Sequence, residues 1–142
     1  YQRRQGYIKS LKEKKIKYNP NYYITINSED PEESANLIKK MLLENPEITA
    51  LVCSTEYSGV GAIKACKDLK KLIGKNISII TYDGAVVANL SNPSLTALRF
   101  QRKELGLKAI EILIDMDKKN FKHKSYVSVS EIVERGTVHQ VK

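Results

Sequence analysis

Residues 77–113, ISIITYDGAVVANLSNPSLTALRFQRKELGLKAIEIL, narrow the choice of folds more than any other stretch. The opening run, Ile77-Ser78-Ile79-Ile80-Thr81-Tyr82, is too short for a helix and rich in β-branched residues, so it reads as a buried strand. Asp83-Gly84 follows at once and puts a carboxylate at the strand's carboxyl end, the edge where open parallel sheets bind ligands. A short helical piece then ends near Asn92-Pro93. Leu95-Thr96-Ala97-Leu98-Arg99 forms a second strand. From near Gln101 an amphipathic helix sets Leu105, Ala109, Ile112, Leu113 and Met116 on one face at helical spacing.

The flanking chain repeats this alternation. Residues 2–15 predict a helix with Tyr7, Ile8, Leu11 and Ile16 inward, and Tyr18-Asn19-Pro20-Asn21 a turn. Residues 22–26, YYITI, predict a strand by β-propensity. Asp30, Pro31 and Glu33 form a helix start, with the aspartate as N-cap and proline at the first helical position. Leu37, Ile38, Met41 and Leu42 make that helix's buried stripe. Residues 49–53 predict the next strand, and Ser54-Thr55 cap a helix running to about residue 72, with Val60, Ile63 and Leu69 inward. The long helix is expected to reach residue 118. A polar loop over 118–125 and a closing strand over 126–133 complete the order. Strands alternating with helices of this length imply an α/β fold, a parallel sheet with helices on both faces.

At 142 residues the chain is one domain or a large part of one. It begins on Tyr1 inside a helical pattern, without an initiator methionine, and is read as a fragment. No apolar run approaches the roughly 20 residues of a membrane span. The 24 Lys and Arg against 16 Asp and Glu give a net charge of +8. The lysines scatter over helix surfaces (Lys9, Lys12, Lys14, Lys15, Lys39, Lys40, Lys67, Lys70, Lys71), which reads as a solvated face rather than a nucleic-acid footprint. Cys53 and Cys66 lack metal-ligand spacing and read as small buried hydrophobes. His123 and His139 have no ligand partners at metal spacing, so no metal and no cofactor is expected. No nucleophile, base and acid can be assembled into a catalytic set, so an enzyme is not expected. Ser58-Gly59-Val60-Gly61-Ala62 lacks the register of a phosphate loop and reads as close helix packing.

Several of these segments, in unbroken order, resemble one family. Tyr82-Asp83, then Asn92-Pro93-Ser94-Leu95-Thr96-Ala97-Leu98-Arg99, then Glu104-Leu105-Gly106 through Ala109 resemble the effector-binding domain of lactose-repressor/galactose-repressor (LacI/GalR) regulators. Arg3-Arg4-Gln5-Gly6-Tyr7 resembles that family's helix start. Ile48-Thr49-Ala50-Leu51-Val52-Cys53 through Gly61-Ala62 resembles a strand–helix unit of it, and Ile132-Val133-Glu134-Arg135-Gly136-Thr137 its terminal strand.

The resemblance implies a bacterial transcriptional repressor of cytoplasmic location, whose effector domain binds a small sugar or nucleobase-like metabolite in a cleft. Operator DNA would be held by a helix-turn-helix before Tyr1, and no membrane would be involved. This chain would be the C-terminal part of that domain: about 1–94 one subdomain, 95–118 crossover elements of the other, and 119–142 a return to the first. The ligand residues it implies are Arg3, Thr55, Asp83 and Phe100. Asp83 would accept bonds from vicinal hydroxyls, or else cap the helix after it. Arg3 would grip ring or hydroxyl oxygens with a guanidinium fork. Thr55 stands where many members carry Asn; it offers one donor where an amide offers two, and it is also a natural helix cap. Asp30 stands where the family often has a stacking aromatic and is read only as a cap. Phe100, where the family often has Gln, would either stack on a sugar ring or serve as core. Val60, Lys64, Val86, Val87 and Leu90 would build a homodimer face. The alternative is a solute-binding protein of a sugar transporter, which resembles the same fold.

Overall fold

The computed structural model describes residues 2–27, 29–84, 86–116 and 125–139. His123, the polar loop over 118–124 and the expected end of the long helix at 117–118 lie outside them. The elements in order are α1 (Gln2–Glu13), α2 (Pro31–Glu44), β1 (Ala50–Cys53), α3 (Glu56–Asp68), β2 (Ser78–Tyr82), α4 (Val86–Leu90), β3 (Thr96–Arg99), α5 (Arg102–Met116) and β4 (Glu131–Val133).

The four strands form one sheet in the order β1-β2-β3-β4. β1 pairs with β2 and β2 with β3 in parallel, whereas β4 closes the sheet antiparallel to β3. The mainly parallel α/β architecture is therefore as expected. Strand alternation decides what faces what. Leu51, Cys53, Ile79 and Thr81 are buried on the side covered by α3 and α2, whereas Val52, on the opposite side, is 54 % exposed. Tyr82 also points to that opposite side, and there α1 meets the sheet through Arg3.

Helix starts follow the local chemistry. Asp30 accepts from the Glu32 amide at 2.9 Å, with Pro31 at the first helical position. Thr55 and Ser58 form a reciprocal capping box, each hydroxyl accepting from the other's amide at 3.2 Å. Ile38, Met41 and Leu42 are buried on α2, with Leu37 half-buried. Gly61 sets how closely α2 and α3 approach. A Cβ there would lie 2.5 Å from Ser34 Cβ and within 2.9 Å of the backbone at Pro31 and Ala35. The glycine-containing run 58–62 is thus a packing device. Since backbone cannot yield as a side-chain tip does, Gly61→Ala is expected to lower stability by about 1–3 kcal/mol in chemical denaturation.

Both cysteines are free and buried in this core. Burial pushes the Cys53 thiol up to about 12 and the Cys66 thiol to about 11. Raised folded values mean that the stability they contribute is complete below the ordinary value of 9.0 and fades as the pH climbs through 11–12. At pH 8 neither should react with iodoacetamide in the native protein, and both should react once it is unfolded; mass spectrometry distinguishes the two states.

Three expectations are corrected. Residues 22–26 are not a strand: Pro20–Tyr22 form a 3-10 turn, Tyr23 is extended, and 23–27 join no ladder. β-Propensity favours an extended backbone, but a strand also needs a neighbour, and none of the described strands pairs with it. The helix after β1 ends at Asp68 rather than near residue 72, because the chain turns at Lys70 with φ +54°. The closing strand spans only Glu131–Val133, and 125–130 are unpaired.

The periodic face of α5 is present but uncovered. Leu105, Leu113 and Met116 are exposed along with Leu107, Ile110 and Ile114, and no described α5 residue is buried. Amphipathicity marks a face that needs a partner without supplying one. α1 likewise buries no residue, and Ile16 is exposed.

Candidate functional site

The site is the carboxyl edge of β1, β2 and β3. β2 delivers Asp83 in the left-handed region, at φ +61°. Aspartate tolerates this backbone better than most residues because its short polar side chain suits it. Gly84 then passes so close to β3 that a Cβ would lie 2.6 Å from Ala97 Cβ, and its amide donates to the Leu98 carbonyl. The turn after β2 is therefore pinned to the next strand, and the half-buried Asp83 carboxylate is in no hydrogen bond or ion pair recorded for the described residues. It does not cap α4. That amide contact goes to Glu56, whose Oε1 accepts from Ala88 N at 3.2 Å. The sequence reading noted Glu56 only as the neighbour of Thr55 and gave it no role; its place in the first turn of α3 was a local signal.

Arg3 reaches this edge from α1. Its Nη1 donates to the Ser54 carbonyl at 2.5 Å, and its guanidinium carbon stands 4.7 Å from the centre of the Tyr82 ring. Ser54 precedes Thr55 and Tyr82 precedes Asp83, so three of the four expected residues come together. The Thr55 hydroxyl is occupied by the capping box, and its carbonyl accepts from Thr81 Oγ1 at 2.7 Å. Its cap role is thus realised in full, and the hydroxyl keeps little capacity for a ligand. Phe100 is half-buried and lines a shallow recess of about 130 Å³ with Gly84, Arg99 and Arg102. Small-molecule sites occupy about 300–1,000 Å³, so this recess makes part of a wall. Arg99 is held by Glu131, its Nε donating to Oε1 at 2.7 Å across the β3–β4 pair.

The expected dimer residues divide. Val60 is half-buried against the core and Lys64 pairs with Glu32 and Asp68. Val86 and Leu90 on α4 are 67 % and 79 % exposed, with Val87 half-buried between them.

The sequence that builds this edge matches a known domain type. Residues 1–138 match the model of the periplasmic binding protein-like domain. The chain belongs to that family. Among curated relatives of this periplasmic binding protein-like domain, it is 26 % identical over 137 residues to the HTH-type transcriptional repressor PurR of Pasteurella multocida, covering 96 % of this chain and 41 % of the relative. It is 28 % identical over 141 residues to the HTH-type transcriptional regulator MalR of Clostridium butyricum, covering 98 % and 41 %. A crystal structure of a PurR family transcriptional regulator from Vibrio parahaemolyticus superposes with a TM-score of 0.80 at 26 % identity, over 93 % of this chain and 48 % of that one. The resemblance to lactose- and galactose-repressor regulators is thus borne out. The chain spans about two-fifths of the length of the curated relatives it matches.

Proposed function

We propose that this domain is the effector-sensing and dimerising part of a DNA-binding transcriptional repressor that responds to a small sugar or nucleobase-like metabolite. The observation that carries the reading is the edge where Arg3, Thr55 and Asp83 converge and Phe100 lies beside Gly84. An unpaired carboxylate beside an arginine with donors to spare suits a polyol or a purine, which offers donors and acceptors in one ring system. The relatives are named as HTH-type regulators, which supports a repressor over a transporter component. Such a regulator works in the cytoplasm, and no helix among the described residues is long and apolar enough to cross a membrane.

In this reading residues 1–94 and 119–142 belong to one subdomain and 95–118 provide the crossover. The exposed apolar face of α5 supports it, because a crossover helix would pack on the other half. Effector bound between the halves shifts the balance of open and closed forms. It can do so only by binding one form more tightly: moving a population from 1:99 to 99:1 takes about 10⁴-fold. The test is thermal shift of the intact protein against maltose, cellobiose, ribose, adenine and hypoxanthine, followed by DNA-binding measurement with any ligand that stabilises it. A stabilising ligand that alters DNA binding supports the reading; one that leaves DNA binding unchanged counts against a sensor.

In this reading the homodimer contact includes α4. Val86 and Leu90 are apolar and largely exposed, and a two-fold contact would set each patch against its own copy. Leu90→Asp is expected to convert the dimer to a monomer in sedimentation with an unchanged melting profile of the monomer. Val60→Asp is a poorer probe, because Val60 also packs against the core.

A further inference from the structure

One guanidinium spans the ends of two neighbouring strands. Arg3 lies on the ring of Tyr82 at the end of β2 and donates to Ser54 at the end of β1. Neither Arg3 nor Asp83 has an ion-pair partner among the described residues, although Arg3 rests on the residue that immediately precedes Asp83. Opposite charges attract where they approach, although solvent weakens the pull on an exposed group such as Arg3. Direct pairing of the two would spend both on each other and leave a ligand nothing to bind. The Tyr82 ring offers the guanidinium a different resting place, on a π-face, and the Ser54 carbonyl fixes its rotation. A planar fork with Nη1 engaged still has donors on Nε and Nη2.

We propose that Tyr82 is a positioning residue of the effector site, a role that rests on the effector reading above: its ring holds the Arg3 guanidinium off Asp83, so that both charges face the ligand. Neither residue need then be reorganised when the ligand arrives, and preorganisation of this kind raises affinity by removing an ordering cost. The ring, rather than the hydroxyl, does this; no hydrogen bond of the Tyr82 hydroxyl is recorded among the described residues. Phenylalanine should therefore substitute and leucine should not. The aromatic ring also leaves a signature in the arginine, because a ring current shifts the nuclei above its face.

The test uses the intact protein labelled only with ¹⁵N-arginine, as wild type, Tyr82→Phe and Tyr82→Leu. The Arg3 Nε–Hε signal should stand upfield of free arginine in wild type and Tyr82→Phe, and move to the free position in Tyr82→Leu with the melting temperature kept. Binding of whichever of maltose, cellobiose, ribose, adenine and hypoxanthine the wild type takes should weaken roughly 3- to 10-fold in Tyr82→Leu and be retained in Tyr82→Phe. An Arg3 signal that is the same in all three proteins overturns the proposal, as does unchanged ligand affinity in Tyr82→Leu. If Tyr82→Leu unfolds the protein, Arg3→Lys takes its place: it keeps the charge but cannot both stack and fork, and equal affinity in that variant overturns the proposal. If none of the five compounds binds, the effector reading fails while the arginine signal still decides where Arg3 rests.

Discussion

Asp83→Asn is expected to weaken effector binding by about 10- to 150-fold, since a hydrogen bond to a charged group contributes about 1.5–3 kcal/mol. The substitution isolates the charge. Asn tolerates the left-handed backbone that Asp83 adopts at φ +61° about as well as Asp does, so the turn into Gly84 should survive. No described partner inside the protein is lost either, because the α4 amide contact belongs to Glu56. Calorimetry on the intact protein measures the affinity and thermal denaturation without ligand checks the fold. Unchanged affinity would remove Asp83 from the site. A large fall in melting temperature would instead make it a structural residue of the turn.

Thr137→Val should be the most damaging conservative change in the sheet. Thr137 is fully buried and bridges Ile79 of β2 and Thr96 of β3. Its hydroxyl donates to the Ile79 carbonyl at 2.7 Å and accepts from the Thr96 amide at 2.8 Å. Its carbonyl accepts from the Ile79 amide. Valine keeps the shape and removes the hydroxyl, which strips one bonding partner from each of two buried backbone groups. At about 1–3 kcal/mol for each such group, the loss comes to about 2–6 kcal/mol. Urea denaturation should show a lower midpoint with an unchanged slope. A midpoint within experimental error of wild type would mean that the stitch between the strands carries no net stability.

These residues show where sequence reading succeeds and where it stops. β1, β2 and β3 were visible because short β-branched runs bounded by turn residues are local signals, and Asp83 was visible because it directly follows such a run. The caps at Asp30 and Thr55 were visible for the same reason. Residues 22–26 carried the same β-propensity without a partner, and no local property of YYITI reveals that lack. The stripe on α5 was read as one apolar face, and the exposed face is there; periodicity names a face and leaves its occupant open.

The remaining features depend on contacts between distant positions. Arg3 meets Ser54 across 51 residues, and Thr137 meets Ile79 across 58. Only folding brings such pairs together, so neither the Tyr82 ring beneath Arg3 nor the Thr137 stitch could be seen beforehand. Thr55 illustrates a subtler limit. Its position by resemblance pointed to a ligand contact and its chemistry pointed to a cap; the capping box shows the hydroxyl engaged in the cap.

The central claim is that the carboxyl edge of β1–β3 is where the effector sits. Amide chemical-shift mapping of the intact protein tests it directly, with maltose, cellobiose, ribose, adenine and hypoxanthine titrated in turn. The account predicts that a compound that binds will shift Ser54, Thr55, Tyr82, Asp83, Gly84 and Phe100 together, with the α2–α3 contact undisturbed. Saturable shifts confined to the outer surface of α2, or to the far end of the sheet near Gly74 and Gly136, would contradict it.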